Sequence, residues 1–385
     1  MKIKDIRASV HHYSVRLPMI DKALEERHFV FCEVETDEGI KGCGITGAFL
    51  PFAAVTALEN DLLGVVKDMD PRDTEAIHHK VWWSLNPRAY TGVISNALSA
   101  LDLALWDIHG KKTGRTVAQL LGGFRDWAPS YITFGFPFFD YDQLVEYAKK
   151  FVDDGNTRLK MVVAVDPGGW QEDARRIRVV REAVGDDIQL MIDANYRFNP
   201  VDARLLCRAV EDCNLMWFEE PLHQNDARAL ADLRKHTNIP LAAGQMEGHR
   251  WRMRELIDHQ AVDILQPNCV YNGGYTETRK IAHLAQTYNM PIANGGGWPI
   301  FNMHSMAGLM NGWCVEFHWG MHQVGQHFFE GVPGPENDMV KIPDGPGLGF
   351  LPKYDALEES RVKSPEDLGQ GGVQTRGFEK GVTKL

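Results

Sequence analysis

The sequence lacks the features that mark membrane, secreted or disulfide-stabilised proteins. No apolar run approaches the roughly 20 residues of a membrane span. The opening residues, MKIKDIRASVHHYSVRL, alternate apolar and polar side chains and do not form the apolar segment of a signal peptide. The six cysteines form no CxxC pair, and several lie in apolar runs. We therefore interpret them as buried, reduced thiols and expect a cytoplasmic protein without a membrane segment.

Basic residues are fewer than acidic ones. Lys and Arg total 41 against 52 Asp and Glu, which gives a formal net charge of -11. This balance argues against nucleic acid as a partner, although it leaves a small anionic ligand possible at a local site. An apolar content of 44% is ordinary for a globular protein, and 385 residues can form two domains.

The pattern along the chain changes near residue 130. Residues 1–60 are typical of strands and residues 54–122 of helices, so an α+β unit comes first. Short apolar runs then recur every 22–30 residues or so, with helical segments between several of them. Repeated strand and helix units of this kind predict an α/β fold, a (β/α)₈ barrel. The predicted strands begin near Tyr131, Arg158, Ile188, Asn214, Pro240, Val262, Pro291 and Trp313.

Three of these runs end in an oxygen-bearing side chain. LMIDAN contains Asp193, WFEEP contains Glu219 and LAAGQMEGHR contains Gln245, and successive members are 26 positions apart. A barrel gathers the carboxyl ends of its strands at one mouth, so these side chains are expected to converge there. Carboxylate and amide oxygens favour a hard cation, and the sequence predicts Mg²⁺.

The segments ALSALDLALWDIHGKKTGRTVAQLLGG, LMIDAN, WFEEP and VDILQPNCVYNGG resemble the mandelate racemase/muconate lactonizing enzyme family of the enolase superfamily. The resemblance runs from near residue 1 to about residue 360. It implies an N-terminal α+β capping domain over a modified TIM barrel, Mg²⁺, and removal of the proton α to a substrate carboxylate. We predict a capping domain at 1–126, a barrel at 127–345 and a C-terminal segment with its tail at 346–385. We also predict a homo-oligomer, a dimer or an octamer.

The chain departs from the family pattern where the bases are expected. The family usually has Lys-x-Lys at the end of the second barrel strand, whereas GNTRLKMVV has Lys160 followed by Val162. A register that pairs Arg158 with Lys160 is the alternative. The family's histidine and its aspartate partner are replaced by Gly295, or a neighbouring glycine, and by Asn268.

Four residues remain as catalytic candidates. Lys160 is either the base or the partner of the substrate carboxylate. Glu316, in WCVEFHWGMHQ, matches a position that faces the substrate carboxylate in the family, and His318 and His322 beyond it could protonate a leaving hydroxyl. Structural roles in packing are the alternative for both histidines.

Candidate substrate contacts come from three places. Asn195, Tyr196 and Arg197 follow the third barrel strand, and Arg197 would suit a carboxylate. Asn268 lies at the end of the sixth strand. His28 belongs to the segment 19–31, MIDKALEERHFVF, which matches the loop that closes over substrate in the family. Its polar residues favour hydroxyl groups over a hydrocarbon.

The third metal ligand has two candidates. Gln245 follows Gly244 where the family places its glutamate, but its amide brings no charge. Glu247 would point the same way in an extended stretch, roughly 6–7 Å further along. The alternative for Glu247 is an ion pair with His249, Arg250 or Arg252.

The favoured function is the dehydration of a hydroxylated carboxylic acid, such as an acid sugar, to a 2-keto acid. An epimerase, racemase or cycloisomerase that uses the same enolate is the alternative among enzymes. From another class, a binding protein that kept the fold and lost its bases is also consistent with the missing residues.

Overall fold

The computed structural model of the chain describes residues 1–17, 20–86, 88, 91–137 and 139–368, and for Leu17 and residues 20–25 it describes the backbone alone. The strands are β1 Ile3–Leu17, β2 Ile20–Thr36, β3 Lys41–Gly47, β4 Trp127–Phe134, β5 Arg158–Val162, β6 Gln189–Asp193, β7 Leu215–Glu219, β8 Leu241–Ala243, β9 Ile264–Leu265, β10 Val315–His318, β11 Phe329–Glu330, β12 Met339–Lys341, β13 Leu351–Pro352 and β14 Arg361–Val362. The helices are α1 Pro51–Thr56, α2 Leu63–Val66, α3 Thr74–Leu85, α4 Val93–Thr113, α5 Val117–Leu121, α6 Tyr141–Asp153, α7 Gly169–Val184, α8 Pro200–Ala209, α9 Ala227–Arg234, α10 Arg250–Asp258, α11 Gly274–Thr287, α12 Pro299–Gly308, α13 Trp319–Phe328 and α14 Tyr354–Glu359. Among the described residues, no helix is long and apolar enough to cross a membrane.

The first unit is an antiparallel sheet covered by helices, as the sequence predicts. Its strand order is β14-β1-β2-β3, so the C-terminal strand β14 returns to pair with β1. A π-helical stretch, Ala57–Leu62, joins α1 to α2. The long helix α4 ends at Thr113, directly before Gly114, and its apolar side chains pack under the sheet.

The second unit is a closed barrel of parallel strands, which confirms the predicted fold. Strands pair in the order β10-β4-β5-β6-β7-β8-β9, and bridges from Leu265 to Ile292 and from Ile292 to Gly312 close the ring. Ile292 thus stands in the place of the seventh strand and bridges to both of its neighbours. Strands buried on both faces are apolar along most of their length, as in LMWFE of β7. The space inside the ring is filled by Tyr131, Met191, Trp217, Ala242, Ile264, Ala293 and Cys314, together with partly buried Met216 and Trp313.

The capping sheet lies over the barrel near the loops that follow β9. Thr46 Oγ1 donates a hydrogen bond to the carbonyl of Val270 at 2.9 Å, and the rings of Phe29 and Trp298 are 5.8 Å apart. These contacts fix the sheet against the same face of the barrel to which β6 and β7 deliver their last residues.

The segment 19–31, predicted to match a closing loop, is described from Ile20 onward, where its backbone is a strand; its closure over substrate stays a prediction. From Ile20 onward it belongs to β2 and pairs with β1 in a long ribbon. The predicted polarity of this segment rests partly on Asp21, Lys22 and Glu25, whose side chains the structure does not describe. The part of the predicted tail from residue 369 onward also lies outside the described residues.

Candidate functional site

Lys160, in the middle of β5, is fully buried inside the barrel. Its Nζ lies 2.7 Å from Glu219 Oε1, 2.9 Å from Glu316 Oε1 and 3.2 Å from Asp193 Oδ2. Burial alone would lower the pKa of Lys160, but the three carboxylates outweigh burial and raise that pKa well above its ordinary value. Three carboxylates around one ammonium leave an excess of negative charge, which favours the binding of a cation.

Glu219 ends β7 and is held through both of its oxygens. While Oε1 accepts from Lys160, Oε2 accepts from Gln266 Nε2 at 2.7 Å and from Trp217 Nε1 at 3.2 Å. Burial raises the pKa of Glu219 well above its ordinary value, although Lys160 opposes this shift. The carboxylate is therefore fixed by neutral donors on one side and by an ammonium on the other.

Asp193 ends β6 beside Val162, the last residue of β5, with which it is in register. Its Oδ1 accepts a hydrogen bond from the backbone N–H of Asn195 at 2.8 Å. Val162 therefore lies beside Asp193, and its correspondence with the family's second lysine stays a prediction. Arg158 lies at the opposite end of β5, where Nη1 is 3.8 Å from Asp338 Oδ2, which argues against the register that pairs Arg158 with Lys160.

Glu316 reaches the same cluster from β10. Its Oε1 accepts from Thr133 Oγ1 at 2.5 Å, and its Oε2 accepts from the backbone N–H of Gly297 at 2.6 Å. These two donors hold the carboxylate in place beside Lys160, so its position does not depend on a flexible loop.

Gln245 lies next to an acid that the sequence analysis did not single out. Its Nε2 donates to Glu220 Oε2 at 2.6 Å, and Asn225 Nδ2 donates to Glu220 Oε1 at 2.8 Å. Burial raises the pKa of Glu220 to about 8, and the charge of Asp193 adds to that shift, while the two hydrogen bonds oppose it. Gln245 and Glu220 are both buried, so this pair is shielded from solvent.

Glu247 does not point the same way as Gln245. The backbone turns after β8, where the N–H of Glu247 donates to the carbonyl of Gly244 at 3.1 Å. The carboxylate then pairs with Arg252, whose Nε lies 2.9 Å from Oε2. The backbone at 244–247 is therefore a turn and not the extended stretch that we predicted. Of the two predicted alternatives for Glu247, the structure supports the ion pair with Arg252.

A segment of three glycines lies against the cluster where the family has its histidine. A Cβ placed on Gly295 would be 3.0 Å from both Glu219 Oε1 and Gln266 Nε2. Gly296 and Gly297 have φ values of 74° and 72°, which L side chains rarely adopt. The backbone therefore takes the space that a side chain would need.

Asn268 supports this glycine segment instead of facing the mouth. Its Nδ2 donates to the carbonyl of Gly295 at 2.7 Å, and its Oδ1 accepts from Asn302 Nδ2 at 2.9 Å and from the N–H of Val270 at 3.0 Å. The side chain is fully buried. Its predicted contact with substrate conflicts with these bonds, because its amide is already used by the protein.

The two predicted histidines lie at different depths. His318 ends β10, with its ring 5.2 Å from that of Phe136, and its Cβ lies 3.5 Å from a Cβ placed on Gly297. His322 follows one turn later in α13, where its ring contacts Phe317. Burial lowers the pKa of His322 to about 4, so it is neutral at pH 7. The structure brings His318, but not His322, beside the glycine segment.

The loop after β6 carries three predicted substrate contacts. Asn195 and Tyr196 have positive φ values of 45° and 54°, which turn the chain sharply beside Asp193. Tyr196 is 36% exposed, and Arg197 Nη1 donates to the carbonyl of Ala164 at 3.3 Å. These residues lie at the mouth, and their contact with substrate stays a prediction.

His28 lies in the ribbon, with its ring 5.0 Å from that of His12. Alternation along β2 places it on the side that carries Val30, opposite the side from which Phe29 contacts Trp298 of the barrel. Burial lowers the pKa of His28. The described contacts do not join it to the Lys160 cluster, and its role towards substrate stays a prediction.

Sequence reasoning missed several side chains that hold the site. Glu220 was visible as the second acid of WFEEP, but strand alternation assigns only Glu219 to the barrel interior. Gln266 and Trp217 gave no separate signal, although both donate to Glu219. The ring of Tyr131 lies 5.3 Å from Lys160 Nζ and forms part of the floor of the site.

The donor set fits a hard divalent cation. Among the described residues, no three His, Cys, Asp or Glu side chains are arranged to hold a metal ion. A site built on Asp193 and Glu219 therefore needs an oxygen of another kind, and the amide of Gln245 offers one. A Cβ placed on Gly296 would lie 3.2 Å from Gln245 Oε1, so glycine leaves that oxygen accessible on this side.

A closed parallel barrel under an α+β cap, with buried acids where its strands end, defines an enolase-like barrel protein. Residues 6–122 match the N-terminal domain of mandelate racemase and muconate lactonizing enzyme, and residues 143–356 match the enolase C-terminal domain-like family. The chain belongs to the mandelate racemase/muconate lactonizing enzyme family, which confirms the resemblance seen in the sequence.

Relatives of known name cover nearly the whole chain. It is 33% identical to the D-galactarolactone cycloisomerase of Agrobacterium fabrum, over 95% of this chain and 100% of that protein. It is 28% identical to the arabinonate dehydratase of Saccharolobus solfataricus, over 94% and 100%. Among solved structures, the L-talarate dehydratase of Polaromonas sp. JS666, complexed with Mg and L-glucarate, superposes with a TM-score of 0.84 at 28% identity, over 94% and 98%.

Proposed function

We propose that this chain is a Mg²⁺-dependent enzyme that removes the proton α to a carboxylate and dehydrates an acid sugar to a 2-keto acid. The observation that carries this proposal is the convergence of Asp193, Glu219 and Glu316 on Lys160 at the barrel mouth, with Gln245 at the end of the next strand. Relatives named as acid-sugar dehydratases, and a neighbour complexed with Mg and L-glucarate, support it.

Asp193, Glu219 and Gln245 would hold the cation. When bound, Mg²⁺ supplies positive charge that stabilises the second negative charge formed on a carboxylate as the α-proton leaves. The protein supplies a fixed set of oxygens for it, because Glu219 accepts a hydrogen bond from Gln266 Nε2 and Gln245 donates one to Glu220. Such fixed partners orient ligands before the metal arrives.

Lys160 is proposed to pair with the substrate carboxylate. Its ammonium is anchored to Glu219 and Glu316 at one wall of the mouth, and Glu316 is itself fixed by Thr133 and the N–H of Gly297. A cation held in this way attracts an anionic group without having to reorganise. The assignment follows the role of the first lysine in the family pattern.

His318 is proposed to carry protons at the other wall. It ends β10 next to the glycine segment, whereas His322 is neutral at pH 7 and lies behind it. In the overall reaction the α-carbon loses a proton, the C–O bond to the β-hydroxyl breaks and water leaves. The resulting enol takes up a proton at carbon, loses the proton from its hydroxyl oxygen and becomes the 2-keto acid, so no oxidant is needed.

The second candidate function is a cycloisomerase. The specific observation in its favour is that the relative of 33% identity bears that name, as does a structural neighbour from Zobellia galactanivorans with a TM-score of 0.85. Both reactions share the loss of an α-proton, and they differ in what the intermediate expels. The dehydratase and the cycloisomerase can therefore be distinguished by their products and not by their metal sites.

A panel of acid sugars and sugar acid lactones incubated with the protein and Mg²⁺ tests the proposal. Formation of a 2-keto acid, detected with semicarbazide and by mass spectrometry as a loss of 18 Da, is the expected result. A product of unchanged mass would favour the cycloisomerase or an epimerase. Absence of both products and of α-proton exchange in D₂O across the panel would contradict an enzymatic role and support the binding protein.

We also propose that the chain acts in the cytoplasm as a homo-oligomer, a dimer or an octamer. Trp83 and Trp251 expose 65% and 39% of their surface, and exposed tryptophans of this kind are frequent where chains associate. Light scattering coupled to gel filtration measures the mass directly, and a monomer would contradict the proposal.

A further inference from the structure

The amide of Gln245 is oriented by the carboxylate of Glu220, and this pairing replaces a feature of the family site. We infer that Glu220 is a positioning residue: it accepts a hydrogen bond from the amide nitrogen of Gln245 and so turns the amide oxygen of Gln245 towards the metal position. This inference rests on the proposed Mg²⁺ site and concerns residues that a ligand list would omit.

The orientation of Gln245 follows from the chemistry of its partner. A carboxylate oxygen accepts hydrogen bonds, and an amide donates only through its nitrogen. The 2.6 Å contact between Gln245 Nε2 and Glu220 Oε2 therefore forces Oε1 to the opposite side of the amide. On that side Gly296 has no side chain, and a Cβ there would lie 3.2 Å from Oε1. The oxygen is thus both oriented and left uncovered.

Glu220 is itself fixed in an unusual backbone conformation. Its φ is 41°, in the left-handed region that a glutamate rarely adopts. Its N–H donates to the carbonyl of Ala242 at 2.8 Å, and its carbonyl accepts from the N–H of Tyr196 at 2.6 Å. In a regular strand Glu220 would point away from Glu219, across the sheet. The positive φ brings two consecutive acids to the same mouth.

Asn225 completes the arrangement. Its Nδ2 donates to Glu220 Oε1 at 2.8 Å, so that each oxygen of this buried carboxylate faces one amide nitrogen. With each oxygen held by a neutral donor, Glu220 is fixed in place. A fixed partner of this kind orients a metal ligand in the way that a hydrogen-bonded carboxylate behind a histidine does.

This pairing predicts that the donor at position 245 and the acceptor at position 220 can be swapped. A glutamate at position 245 alone would face Glu220 across 2.6 Å, with acceptor against acceptor in a buried place. The double variant Glu220→Gln and Gln245→Glu restores one donor and one acceptor across this contact. Gln245→Glu alone does not.

Calorimetric titration of Mg²⁺ into the full chain measures the effect without any substrate. We expect Glu220→Leu, which removes the acceptor for Gln245 Nε2, to weaken Mg²⁺ about 10- to 100-fold, the range seen when partners of metal ligands are removed. Gln245→Glu alone should bring no gain, and the double variant should bind at least as tightly as the wild type. Thermal melts without Mg²⁺ show that each variant folds.

Glu146→Leu serves as the control, because Glu146 is exposed on the outer helix α6. It should leave Mg²⁺ affinity within about twofold of wild type. The inference is overturned if Glu220→Leu also binds Mg²⁺ like the wild type, or if Gln245→Glu tightens binding on its own. A wild-type protein that binds no Mg²⁺ with or without an acid sugar would instead overturn the proposed function, and this inference with it.

Discussion

The barrel mouth has two halves of different chemistry. Strands β5 to β7 deliver ionisable side chains, with Lys160, Asp193 and Glu219 in mutual contact. Across the mouth, the segments that follow β9 and Ile292 present amides and backbone groups, from Asn268 to the glycines at 295–297. One half carries the charge, and the other half is neutral and closely packed.

The contrast indicates how the charged half is kept rigid. Glu219 and Glu316 each receive hydrogen bonds from the neutral half, from Gln266 Nε2 and from the N–H of Gly297. Neutral donors fix a carboxylate without cancelling its charge. Gln266 and the glycine segment, which Asn268 supports through the carbonyl of Gly295, therefore hold the acids opposite in place.

Removing the charge at the centre should have the largest effect. Lys160→Ala leaves three buried carboxylates without their ammonium, which should destabilise the protein by about 3–5 kcal/mol in the absence of metal. Turnover of the identified acid sugar should fall about 1,000-fold, because the substrate carboxylate loses its partner. Steady-state kinetics and denaturant unfolding measure the two effects.

Lys149→Ala is the control for this variant, since Lys149 is exposed on α6. Its turnover should match the wild type. Near-normal turnover in Lys160→Ala itself would show that the substrate does not use this side of the mouth.

Neutralising the ligands should abolish the response to Mg²⁺. Asp193→Asn and Glu219→Gln each remove one of two carboxylates, so the metal should no longer stabilise the fold. A wild-type site at a Mg²⁺ concentration of 100 times its Kd would add about 2.7 kcal/mol. Thermal melts with and without Mg²⁺ measure this, and a shift that persists in both variants would place the metal elsewhere.

Adding a single methyl group to the neutral half should have an intermediate effect. In Gly295→Ala the new Cβ would lie 3.0 Å from Glu219 Oε1, so the glycine segment or the carboxylate has to move. We expect a destabilisation of about 1–3 kcal/mol and weaker Mg²⁺ binding by calorimetry.

Gly64→Ala in α2, where no atom lies within 4 Å of the new Cβ, is the control. It should stabilise the helix by about 0.5–1 kcal/mol. If Gly295→Ala kept full stability and full Mg²⁺ affinity, close packing would not explain the missing histidine.

The last prediction concerns the buried His304 of α12, which follows the glycine segment, and asks whether this histidine has to remain neutral. His304 of α12 is fully buried, and burial lowers its pKa to about 3, while Nε2 lies 3.2 Å from the carbonyl of Leu348. Because the folded-state pKa is below the unfolded value of 6.5, the unfolded state binds more protons. Stability should therefore fall as pH drops from about 6.5 towards 3, by about 1.4 kcal/mol per pH unit at most from this group.

His304→Gln keeps a donor for Leu348 and removes the titration. Its free energy of unfolding, measured by urea titration from pH 7 to pH 4.5, should depend less on pH than that of the wild type. Identical slopes would mean that His304 does not contribute.

The sequence predicts the barrel well because its signals are local. Apolar runs at regular spacing indicate the strands, and the equal spacing of Asp193 and Glu219 places both at strand ends. Arg158 shows the limit of this reasoning, since its register could be decided only by the contact with Asp338, 180 residues away.

The errors arise where the backbone leaves the extended conformation. Alternation hides Glu220, because its φ of 41° breaks the strand, and it misplaces Glu247, because a turn follows Gly244. Neither residue carries a local signal for its conformation, since both are ordinary glutamates. The close approach of Gly295 to Glu219 depends on two strands meeting across the barrel, which spacing along the chain does not encode.

The pairing of β14 with β1 determines the order in which the protein can be completed during synthesis. Val10 lies opposite Val362, so the edge of the capping sheet remains open until almost all of the described chain has left the ribosome. The parallel ring, whose neighbouring strands follow one another in sequence, can form earlier. Until then β1 exposes an unpaired edge that another nascent copy could occupy. Because β14 comes late in the chain, crowded translation is a condition that gives another copy time to reach this open edge.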